Sequence, residues 1–212
     1  MPKSIVLGLL LVFVIAYIGS ISGTYHPIVQ VSYGETTDVH DIAVSDVTVF
    51  KTVVGQGYAM KINVTVENLG TQLETSNLTV YANATSFSTL TDVSLPSGNS
   101  TVILFVWNTT GFAFGNYTIS AYAEPLLEET NTGNNNFTCA IPVHVGVPGD
   151  CTGPTQGEYD GKCGMRDISY MIMRFNSKPG DFRWAPNADV NDDNVINMRD
   201  IQIAIFHFGQ LE

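Results

Sequence analysis

Residues 58–68 read YAMKINVTVEN, a run rich in Val, Ile, Thr and Tyr whose apolar residues recur with a period near two. That period places alternate side chains on opposite faces of a β-strand, and β-branched residues fit the pleated surface. Working outward, similar runs stand at 41–50 (DIAVSDVTVF), 77–83 (NLTVYAN), 100–107 (STVILFVW), 116–124 (NYTISAYAE) and 137–145 (FTCAIPVHV), with a weaker one, FSTLTDVSL, at 87–95. Gly55, Gly57, Gly70, Gly98, Gly111, Gly115 and Gly133 punctuate them. Seven short strands between residues 38 and 147 predict an immunoglobulin-like β-sandwich.

Beyond residue 148 the chemistry changes. Residues 189–200 read DVNDDNVINMRD and set oxygen side chains at the spacing of a twelve-residue calcium loop. Asp189, Asn191, Asp193, Asn197 and Asp200 take positions 1, 3, 5, 9 and 12, and Val195 offers its carbonyl at position 7. Asn194 stands at position 6, where the backbone needs positive φ and Asn tolerates it. A second copy lies 33 residues earlier, GMRDISYMIMRF at 164–175 against NMRDIQIAIFHF at 197–208. Its loop is irregular. Asp167 takes position 12, with Lys162 as carbonyl donor, Asp160 at position 5 and Glu158 at position 3. Position 1 falls on Gln156 by direct count, or on Asp150 if TGPTQG is an excursion from the loop; the second version is favoured. Cys151 and Cys163 lie at the two ends of that excursion, and a disulfide between them would contribute about 3 kcal/mol in the chain-entropy model.

These paired loop-helix units resemble a type I dockerin over residues 149–210, and the intervening KPGDFRWAPNADVN is similar to the connector of dockerin pairs in secreted archaeal proteins. The resemblance implies two calcium ions and a cohesin-like partner met at loop positions 10 and 11, here Met165 with Arg166 and Met198 with Arg199. It also implies a small core in which Ile201, Ile205 and Phe208 pack on Ile168, Ile172 and Phe175. A core of that size is marginal without metal or a disulfide.

The sandwich region has its own resemblance. VVGQGYAMKINVTVENLG, NLTVYAN and FVWNTTGFAFGNYTISAYAEPLLEETNTGNN are similar to the CARDB family, a cell-adhesion-related β-sandwich of bacterial and archaeal surface proteins. The Asn68–Gly70 turn and the Glu129–Asn135 hairpin carry that likeness, and they imply a fold and a surface habitat, with no ligand specified.

The start of the chain fits export. Lys3, the apolar run 5–18 and the stretch Ser20-Ile21-Ser22, with its two small serines, form a signal-peptide pattern over residues 1–22, with an uncleaved anchor as the alternative, and 23–37 as a linker. The expected location is therefore secreted or cell-surface. A net charge of −11 with nine basic residues excludes a nucleic-acid footprint. Seven N-x-Ser/Thr acceptors, at Asn63, Asn77, Asn83, Asn99, Asn108, Asn116 and Asn136, all fall in the sandwich.

No catalytic constellation emerges. The four histidines are scattered, no nucleophile stands beside a base, and Glu124, Glu128 and Glu129 belong to a solvated loop rather than a glycosidase pair. Trp107 reads as core packing rather than a sugar platform, and Cys139 as a buried, inert thiol. The expectation is a non-catalytic binding or adhesion protein. The alternatives are a structural stalk and a carbohydrate-binding accessory module of an enzyme assembly.

Overall fold

The computed structural model describes residues 37–212, of which Asp38–Glu212 form one compact unit. The leader and most of the linker expected from sequence lie outside the described residues. No helix among the described residues is long and apolar enough to cross a membrane.

Three small sheets build the sandwich. The first is β1 (Ile42–Val49), β3 (Ala59–Asn68) and β6 (Ser100–Asn108), with β3 central and antiparallel to both neighbours. The period-two reading of this stretch holds, since Met60, Ile62, Val64 and Val66 point into the core and the residues between them face outward. The second sheet pairs β2 (Val53–Gly55), β10 (Val143–Gly146) and β7 (Gly115–Tyr117), with β2 and β10 parallel. The third has the order β5 (Thr85–Leu95), β4 (Glu74–Ala82), β8 (Ile119–Ala123) and β9 (Asn136–Thr138).

Two of the expected strands each divide to serve two sheets. The run 116–124 breaks at Thr118, so that β7 pairs with β10 while β8 pairs with β4. Asn83 fixes the break, its side-chain oxygen accepting from the Thr118 amide at 2.9 Å. The run 137–145 breaks before Val143, where Pro142 has no amide to give a ladder. The weak run at 87–95 belongs to the longest strand, β5, an edge strand whose Ser- and Thr-rich faces are both mostly exposed. Backbone pairing to β4, rather than apolar alternation, holds it.

Trp107 is fully buried at the centre of the sandwich, stacked on Phe87 at 5.6 Å and met edge-on by Phe112 and Tyr117. Cys139 is buried in the same core. Glu129 departs from the expected solvated loop. Its carboxylate accepts from the amides of Ile42 and Leu126 and from the Asn135 side chain, tying the hairpin to the start of β1.

A second, separate core holds the C-terminal module, where α1 (Met165–Met173) and α2 (Met198–Phe206) pack with Val147, Ala185, Ala188, Val190 and Ile196. The expected helix stripe is corrected here. Ile201 is buried and Ile168 half-buried, but Ile172, Phe175, Ile205 and Phe208 are exposed. Asp167 and Asp200 must face their loops, and this rotation buries Tyr170 with Met171 in α1 and Ile201 with Ala204 in α2.

The two cores abut. A Cβ on Gly55 would come within 2.6 Å of the Pro148 Cα, so only glycine allows this approach. Tyr58 packs against both cores, and the His144 ring stacks on Tyr159 at 3.7 Å while its Nε2 lies 2.6 Å from Glu212 Oε1.

Candidate metal centre

The loop 189–200 closes on two buried aspartates. Asp189, 2% exposed, sits at its entrance, where its carboxylate accepts from the amides of Asp193 at 3.1 Å and Asn194 at 2.8 Å. Asp200, fully buried in the first turn of α2, accepts from Val190 at 2.9 Å, Asn191 at 3.2 Å and Asn197 at 2.8 Å. Asn194 adopts φ 64°, the left-handed turn expected at position 6. Asn197 caps α2, accepting from the Arg199 amide at 2.7 Å.

This folding brings one carboxylate oxygen each from Asp189, Asp193 and Asp200 within 4.8 Å of one another. Asn191 and Asn197 both turn their side-chain N–H groups to Asp193 Oδ2, at 3.1 Å and 3.3 Å, and the Val195 carbonyl accepts from Asn197 at 3.1 Å. Three of the six residues expected from sequence, Asp189, Asp193 and Asp200, therefore converge, and Asn191, Asn197 and Val195 are tied in around them by these hydrogen bonds. Burial first, and then neighbouring carboxylates, push Asp189 up to about 6, against the pull of Lys51 and the Asn194 amide. Burial likewise raises Asp200. Carboxylates converging in a buried place are costly unless a cation compensates them. The donors are all hard oxygens, which suit calcium or magnesium and not a thiolate-seeking metal.

The earlier loop repeats this plan. Asp150 accepts from Asp160 at 3.2 Å and Gly161 at 2.7 Å, as Asp189 does from positions 5 and 6. Asp167 accepts from Cys151 and Thr152, both at 2.9 Å, and from Gly164 at 2.8 Å, as Asp200 does from positions 2, 3 and 9. Gly161 takes φ 78°, matching Asn194. The register is that of Asp150, not Gln156. Thr152 occupies the third place, whereas Glu158 is exposed on the excursion and bonds to none of the loop acids through its side chain. The reason is local: the excursion leaves after Thr152, so Glu158 lies outside the ring. Asp160 and Lys162 are exposed, and burial pushes Asp150 up to about 7.

The loops also exchange backbone bonds across the module. Ile196 pairs with Asn176 and Ser177 after α1, and Cys163 pairs with Gly209 and Gln210 after α2. Cys151 and Cys163 hold the buried places that Val190 and Ile196 hold in the other loop, a correspondence that follows from the Asp150 register. All three cysteines are free thiols in the structure, and burial pushes Cys163 up to about 12 and raises Cys151 well above the ordinary thiol range.

Met165 and Met198 are 64% and 51% exposed, so neither caps the core. Arg166 reaches Asp160 at 3.2 Å and Arg199 lies 3.9 Å from Asp193. Among the glycan acceptors, Asn83, Asn99, Asn108, Asn116 and Asn136 are exposed, while Asn63 and Asn77 are half-buried within strands. Sequence reasoning missed Lys51 and Lys61, which reach from the sandwich to the acidic loop. Lysines after and within apolar strands carry no local signal of a partner more than a hundred residues away.

The described unit is thus an immunoglobulin-like sandwich joined to a duplicated, acidic loop-helix module. Residues 39–139 match the CARDB family profile, and the chain belongs to the CARDB family through this domain. The CARDB domain of a Pyrococcus furiosus protein, solved in complex with di-metal ions, is 30% identical, with 53% of this chain and 98% of that one covered and a TM-score of 0.45. A domain from Methanosarcina acetivorans, whose name proposes a cell-surface protein, is 28% identical over 50% of this chain and 92% of that one, with a TM-score of 0.40. No curated protein matches the chain. The family match ends at residue 139 and reaches neither acidic loop.

Proposed function

We propose that the chain is a non-catalytic, secreted or cell-surface binding protein whose C-terminal module is a calcium-loaded, dockerin-like docking unit. The observation that carries this reading is the shared hydrogen-bond plan of the two loops, with Asp150 and Asp167 bonded as Asp189 and Asp200 are. Two calcium ions are assigned, the tighter to Asp189, Asn191, Asp193, Val195, Asn197 and Asp200, because its ring is complete. The first loop, with Asp150, Asp160, Lys162 and Asp167 but without Glu158, binds more weakly.

The docking faces are Met165 with Arg166 and Met198 with Arg199. Their exposure and their duplication support a cohesin-like partner engaged by either face. A pull-down from native surface extract tests this, with calcium, with chelator, and with Arg166→Ala/Arg199→Ala. A partner retained only with calcium and lost from the double variant supports the reading. Retention that ignores both chelator and variant overturns it.

A second reading is favoured by the packing of the two cores. In it the module is a structural joint, and calcium stiffens a stalk. A protein that takes calcium and shows its stiffening, yet retains no partner, answers to that description.

A further inference from the structure

Lys51 and Lys61 belong to the sandwich, yet both ammonium groups are spent on the acidic loop. Lys51 is only 4% exposed; its Nζ donates to the Asp189 carbonyl at 2.9 Å and lies 3.7 Å from Asp192 Oδ1. Lys61 donates to the Asp192 carbonyl at 2.7 Å and lies 3.6 Å from Asp192 Oδ2. The lysines hold the loop only by groups the ligand set leaves unused, namely two main-chain carbonyls and the one loop carboxylate outside the ring. A buried ammonium is costly without such partners, so Lys51 fixes the loop as firmly as the loop satisfies Lys51. Two residues before the loop, the Asn187 side-chain oxygen accepts from the Thr52 amide at 3.0 Å and the Val53 amide at 3.2 Å, where β2 begins.

We infer that Lys51 and Lys61 are positioning residues of the cation site, and that occupancy of the loop 189–200 is transmitted to the start of β2. The inference rests on the cation reading of that loop. Coupling is reciprocal: if the sandwich holds the loop in its ligand geometry, the cation must in turn hold the sandwich to the module. The amides of Thr52 and Val53 are the natural reporters, because their partner is a side chain of the module.

Hydrogen exchange on the full chain, with calcium and with chelator, tests it alongside calorimetric titration. Calcium is expected to slow exchange at Thr52 and Val53 by roughly fivefold or more, in the range of ordinary site-to-site coupling. In Lys51→Met/Lys61→Met, calcium still slows exchange at Val190–Asn197, but the slowing at Thr52 and Val53 is lost. Amides at the β4–β8 ladder stay protected, which separates decoupling from unfolding. Asp192→Ala, which leaves both lysines and the ring in place, gives a weaker loss of the same kind and serves if the double variant does not fold. Calcium uptake with no change at Thr52 and Val53, or an equal change in all variants, overturns the coupling alone. A flat calorimetric trace overturns the cation reading beneath it.

Discussion

At the scale of single residues, the protonation of the loop acids makes a signed prediction. Asp189 and Asp150 titrate near 6 and 7 in the metal-free fold, above the ordinary carboxylate range, chiefly because they are buried. Between pH of about 4 and 7 the folded module therefore binds more protons than the unfolded chain, and stability falls as pH rises. The contribution is complete below pH of about 4 and is lost as pH rises through about 6 and 7. In chelator, the module's unfolding temperature should be higher at pH 5 than at pH 7.5. With calcium the order should invert, because the cation and the protons compete for the same oxygens. A calcium-free unfolding temperature that rises between these pH values would contradict the assignment.

The cysteines are also decided residue by residue. Cys151 and Cys163, free thiols in the structure and not the bridge expected from sequence, share one buried core, and export would expose them to oxidising conditions that can join them. Peptide mapping of secreted material should recover them joined, with Cys139 free. Both recovered as free thiols would remove the bridge, and a Cys139 adduct with either would contradict the separate cores.

At the scale of elements, the two helices open on the same Met-Arg-Asp-Ile run and both expose its Met-Arg pair, so these faces should substitute for one another. Arg166→Ala or Arg199→Ala alone should weaken partner binding about twofold, the statistical loss of one of two faces, and both together by more than tenfold. Equilibrium binding to the isolated partner checks this, and a double variant that binds undiminished excludes the surface. Much of this level was legible beforehand. β3 was plain because Met60 to Val66 alternate without a break, and the second loop because its six oxygen-bearing positions all fall within one twelve-residue window. β5 was faint because Ser and Thr on two exposed faces leave no hydrophobic period. The splits at Thr118 and Pro142 were hidden because a strand that changes sheets keeps its alternation. The helix faces were misassigned because Ile172 and Ile205 look like core residues, while the buried face was set by Asp167 and Asp200, whose carboxylates had to serve the loops.

At the scale of the whole molecule, two modest cores meet through Gly55 and Pro148, Lys51 and Lys61, and the Asn187 side chain. The sandwich owes its fold to its own core around Trp107, so Trp107→Ala should cost about 3–5 kcal/mol whether or not calcium is present. Denaturant unfolding followed by a sandwich-specific probe would show it, and a cost below about 1 kcal/mol would contradict the packing. The module depends on its loops instead, since its core is small and four of its buried side chains, Asp150, Asp167, Asp189 and Asp200, are acids. The module's role depends on whether the loop 189–200 holds a cation. Calorimetric titration of the full chain with calcium, beside Asp189→Ala/Asp193→Ala, decides it: two binding events are expected, the tighter one absent from the variant while the sandwich stays folded, and the contradicting result is no heat of binding, or the same heat in both proteins.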